Sequence, residues 1–77
     1  MPIDRAELDR LQQAYKAAVD QWVAAIREDE ALATHDYSIP AWERWEHAGF
    51  KEQEARDKAK GAKEAYKEGL RQRDYDF

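Results

Sequence analysis

Cysteine is absent from this 77-residue chain. Disulfides, thiolate nucleophiles, Cys-ligated zinc and iron–sulfur clusters are therefore excluded. Serine and threonine occur once each, as Ser38 and Thr34, and histidine twice, as His35 and His47. Three glycines are too few, and too scattered, for a glycine-rich phosphate loop or an oxyanion-hole turn. No uncharged run exceeds six residues, as in 21–26, whereas a membrane-spanning helix needs about 20 largely apolar ones. No charged n-region precedes an apolar stretch, so no secretory signal is read and the cytoplasm is the expected compartment. Nothing alternates with period two for long enough to predict a strand.

Large aliphatic side chains are also scarce. Leu, Ile, Val and Phe together number 11, against 14 alanines. So small a share goes with disorder when net charge is high and aromatics are few. Here the net charge is −4 and nine residues are aromatic. Each aromatic side chain buries roughly 150–250 Å², so a few of them replace many leucines. The length bounds the chain to one domain, residues 1–77. A domain this short buries only about 60% of its unfolded surface. A marginal monomer is expected, with self-association or a partner supplying further burial.

The pattern of what is present is helical. Asp4 suits an N-cap, Glu7 three residues on completes an Asp variant of the capping box, and Ile3 is placed to staple onto Leu8. Apolar residues then fall at Leu8, Leu11, Tyr15, Ala18, Trp22 and Ala25, with Val19 and Ile26 widening the stripe. The 3-4-3-4-3 spacing predicts an amphipathic helix over about 4–33 and also suits a coiled-coil seam. A turn follows at 34–39, where Thr34, Asp36 and Ser38 compete for backbone hydrogen bonds and Pro40 disfavours helical geometry before it. Ser38 is the expected cap of the next helix, with Pro40 in its first turn.

Gly49-Phe50 reads as a helix stop, giving a short helix at about 40–48 and a second at about 50–72. Yet Ala41, Trp45, Ala48, Ala55, Ala59, Ala62, Tyr66 and Leu70 keep one helical phase through Gly49, broken only by Glu52. The expectation is a kink or short extra helix around Gly49, then a frayed tail at 73–77 or a short docking motif of Tyr75 and Phe77. The fold class predicted is all-α: an antiparallel helical hairpin of two long helices, pairing into a helical bundle. Bulky Leu8, Tyr15 and Trp22 would pack on the small Ala55, Ala59 and Ala62.

Candidate chemistry is thin. Pro2, exposed if Met1 is removed, resembles the basic proline of the oxalocrotonate tautomerase family, but that family is β-α-β and its strands have no counterpart here. Glu43 and His47 form an i,i+4 pair of the kind that can chelate a metal, but two histidines among 17 acids make such a pair unremarkable. No metal, cofactor or small-molecule substrate is expected, and no enzyme activity. Residues 51–73 carry eight basic and five acidic groups, but the two are interleaved as i,i+3 and i,i+4 pairs, so nucleic acid is not expected either. The asymmetry is better used between acidic and basic helices.

Aromatics are the most informative residues. Tyr37, Trp42, Trp45 and Phe50 crowd the turn, where they either close it as a small core or form a binding surface; Tyr15 and Trp22 lie on the first stripe. Trp and Tyr are the common anchors of interfaces. Two functions of different class follow. One is a self-associating protein–protein interaction module, in which two hairpins pair through the Leu8–Trp22 stripe into a homodimeric four-helix bundle. The other is a small adaptor or inhibitor, of a kind that phages encode, docking its aromatic end or acidic helix onto a larger protein.

Overall fold

The computed structural model describes residues 3–75 and contains two helices, α1 (Arg5–Leu32) and α2 (Ile39–Tyr75), packed along their length. Residues 33–38 reverse the chain, so the pair is an antiparallel hairpin and the fold is all-α. It measures 57 × 16 × 12 Å, with a radius of gyration of 17.4 Å. A compact chain of this length would have about 11–12 Å. The molecule is a rod two helices thick, and its shape limits how much it can bury.

At the start of α1 the Asp4 carboxylate accepts the Glu7 N–H at 2.8 Å. Glu7 does not reach back to complete the capping box; its carboxylate is held by Arg10, one turn on, through a bidentate ion pair. The first turn of α2 is capped as the sequence predicts: Ser38 Oγ accepts the Ala41 N–H at 3.3 Å. The helix begins at Ile39, one residue earlier than expected, which puts Pro40 in the first turn where its missing N–H leaves nothing unpaired.

The expected break at Gly49 is not made. A single helix runs from Ile39 to Tyr75, so there is no short extra helix. The reason is packing. Ala48 is 2% exposed and Ala41 and Ala59 are buried, so the same face of α2 lies on α1 both before and after the glycine. A mid-helix glycine costs about 1 kcal/mol relative to alanine, too little to interrupt a face anchored on both sides. Nothing lies within 4 Å of where a Gly49 Cβ would stand. Gly49→Ala is therefore expected to stabilise the hairpin by about 0.5–1 kcal/mol, a rise in Tm of about 4–8 °C per kcal/mol for a domain of this size. A thermal melt followed by circular dichroism checks this, and a fall in Tm would contradict the continuous helix.

The core is narrow. Among the described residues Leu8 is its one large buried side chain, beside Ala41, Ala48 and Ala59. At the free end Gly69 is buried, and a Cβ there would meet the Leu11, Leu8 and Ile3 Cδ1 atoms at 3.0, 3.2 and 3.3 Å. Three aliphatic side chains thus converge on bare backbone, which lets the helices approach closely. Midway, Tyr15 and Tyr66 stack with ring centroids 6.2 Å apart, and the Tyr66 hydroxyl accepts the Gln12 amide at 3.2 Å. Helix α2 continues to Tyr75, past the expected fraying point at 73. Phe77, and with it the proposed Tyr75/Phe77 motif, lies outside the described residues, as does Pro2.

Candidate functional site

The turn is held by a ladder of short side chains. Thr34 Oγ1 accepts the Asp36 N–H at 3.2 Å, and Asp36 Oδ1 accepts the Ser38 N–H at 3.0 Å. Ser38 then caps α2. These bonds engage the single threonine and the single serine of the chain as backbone caps. The bond from the Ser38 N–H, with a smaller contribution from Arg44, holds the Asp36 carboxyl below its ordinary range, so it is ionised at neutral pH. Ordering the turn in this way sends Tyr37 outward.

None of the four aromatics around the turn is buried. Tyr37 is 87% exposed, Trp42 56%, Trp45 45% and Phe50 59%, with Ile39 also exposed beside them. The small closing core that would have hidden them does not form, because the two-helix seam beneath is one side chain wide and Ala41 and Ala48 fill it. Trp42 and Trp45 form a wall between two clefts. One, of about 600 Å³, is bounded by the turn, Leu32, Tyr37 and Ile39. The other, of about 270 Å³, lies between Asp29 of α1 and Glu46, Gly49, Phe50 and Gln53 of α2. The opposite flank of the same end carries Glu43, Arg44 and His47 around a third cleft with Pro40.

Tyr15 and Trp22, the other two candidate interaction residues, face α2 and are half-buried. The Trp22 indole N–H donates to Glu52 Oε1 at 2.8 Å. Glu52 is the acid that interrupts the apolar phase of α2 in the sequence, and its side chain is only 18% exposed, with Arg56 at 3.6 Å on its other oxygen. The interruption is a polar partner for the indole, placed inside the seam. An acid in phase with an apolar stripe is the one signal that could have revealed it. The stripe from Leu8 to Trp22 is thus occupied within the chain and is not the free pairing surface expected of it; the large apolar residues left outside cluster at the turn, with Val23 and Ile26 about two-fifths exposed on α1.

Charge is divided along the rod. Residues 28–46, around the turn, hold six acidic groups and one basic; residues 56–73, near the free end, hold seven basic and three acidic. Glu28, Asp29 and Glu30 stand at the C-terminal end of α1, where the helix dipole disfavours them. Lys51, 3.7 Å from Glu28, offsets one of them across the seam. Among the described residues no three His, Asp or Glu side chains converge to hold a metal. No described helix is long and apolar enough to cross a membrane. Comparison with family models, with curated proteins and with solved structures gave no match.

Proposed function

We propose that this chain is a non-enzymatic protein–protein interaction module that pairs with a second copy of itself into a four-helix bundle, working in the cytoplasm. The observation that carries the reading is the exposed cluster of Tyr37, Ile39, Trp42, Trp45 and Phe50 on a hairpin whose own seam is filled by alanines. With roughly 150–250 Å² per large side chain, the exposed fractions leave roughly 480–800 Å² of mainly apolar surface. Monomers rarely expose patches of more than a few hundred Å² without using them. A standard interface buries about 800 Å² per partner, so the patch supplies most of one. Pairing would also give the rod the second layer that a 12 Å thickness lacks.

Light scattering on a sizing column, over a tenfold concentration range, tests this. A mass near 18 kDa, twice the 9.1 kDa chain, is expected. Trp42→Ser with Trp45→Ser should return the mass to 9.1 kDa while helix content is kept, since both side chains stand outside the seam. A wild-type mass of 9.1 kDa throughout would leave the second reading, an adaptor or inhibitor docking this end onto a larger protein. The acidic surroundings of the patch favour a basic target in that case, and the target would raise Tm by mass action.

A further inference from the structure

One flank of α2 runs the length of the rod and changes character halfway. Steps of three and four residues from Trp42 lead through Trp45, Glu46 and Gly49 to Gln53, and all five border one cleft with Asp29. The same steps continue from Gln53 to Arg56, Lys60, Lys63, Lys67 and Arg71. This flank is therefore aromatic and acidic in its first half and basic in its second. Arg56 is half-buried and the other four basic residues are exposed.

We propose that two copies pair antiparallel through this flank, the aromatic acidic half of each seated on the basic half of the other. The inference rests on the self-association reading and names the surface and its orientation. Placing Glu46 opposite Lys63 of the partner subunit also sets Trp42 opposite the partner's Lys67, Gly49 opposite the partner's Lys60 and Gln53 opposite the partner's Arg56. The two-fold axis then passes between positions 53 and 56, near the middle of α2, so the rods overlap along most of their length. Such an isologous contact uses every complementary pair twice.

Three features support that register. Lys and Arg stems lie well across indole faces, where the cation is attracted by the ring. Gly49 has nothing within 4 Å of its missing Cβ, which leaves a gap for the partner's Lys60 to cross and reach Asp29. A turn-to-turn dimer, by contrast, would set six acids and one arginine against the same six and one. Like charges facing each other at an interface disfavour that arrangement.

The test is a charge swap on the full chain. Asp29, Glu46, Lys60 and Lys63 take part in no ion pair among the described residues, so reversing them leaves the hairpin's own pairs intact. One variant carries Lys60→Glu and Lys63→Glu, the other Asp29→Lys and Glu46→Lys. Each alone is expected to weaken dimerisation by about tenfold or more, since attraction becomes repulsion at four places. An equimolar mixture should recover the wild-type mass, because each variant's altered half meets its complement. Added salt should weaken the wild-type dimer as well. A variant that still dimerises like wild type, a mixture that stays monomeric, or a salt-insensitive dimer would overturn the antiparallel pairing while self-association stands. A wild-type chain that is monomeric throughout would overturn both.

Discussion

Trp22→Ala is expected to lower the unfolding free energy by about 3 kcal/mol, the lower part of the range for truncating a large aromatic because Trp22 is half-buried. Two losses combine. The indole leaves a gap in the seam, and Glu52 Oε1 loses its 2.8 Å donor while its side chain stays only 18% exposed. A partly buried acceptor without a partner is costly to leave unmade. Domains of this length have a total stability of about 4–12 kcal/mol. The variant should therefore keep about 1–9 kcal/mol and melt about 12–24 °C below wild type, visible as an earlier loss of helical circular dichroism on heating. Trp22→Phe keeps most of the ring and loses only the N–H, so about 1 kcal/mol is expected for it. A melting curve unchanged by Trp22→Ala would mean that the ring does not sit in the seam.

Leu8→Ala should have an effect of similar size, about 2–4 kcal/mol, by removing the one large buried side chain among the described residues. Its measured cost depends on Gly69. With Leu8 present, a Cβ at position 69 would stand 3.2 Å from its Cδ1 and 3.0 Å from that of Leu11, tighter than ordinary contact. Gly69→Ala alone therefore sets a gain in helix propensity of about 1 kcal/mol against crowding. In the Leu8→Ala background one of those contacts is gone and the methyl fills part of the cavity. The double variant is expected to lose less than the two single changes added together. Strict additivity in chemical denaturation would show that Leu8 and Gly69 do not touch.

The division of the chain between inside and outside sets both expectations. Residues that hold the hairpin, Leu8, Trp22 and Glu52, lie in the seam. Trp42, Trp45 and Phe50 lie outside the seam, so their substitution should change the mass in solution and lower the melt only through the association lost. Melts taken at low protein concentration and masses taken at high concentration would thus separate the two sets of positions.

The all-α hairpin was legible in the residues alone: the 3-4-3-4-3 spacing from Leu8 to Ala25, the Asp4 and Ser38 caps, and the small turn residues before Pro40. These are local signals, and local hydrogen bonding and periodicity suffice to place helices. The aromatic cluster at the turn was equally plain, because neighbours in sequence stay neighbours around a turn. What only the tertiary structure decided was the use of residues that depend on the opposite helix. Gly49 reads as a stop until Ala41, Ala48 and Ala59 are seen to anchor α2 on both sides of it. Glu52 reads as a flaw in a stripe until the Trp22 indole, 30 positions away, is found donating to it. Gly69 gives no local signal at all, since its value lies in Leu8 and Leu11 crossing where a side chain would be. The aromatic end could have folded over itself or stayed open, and that choice depended on how wide a seam the two helices make. Each of these is a contact between residues far apart in sequence, decided by the distance and rotation of one helix against the other.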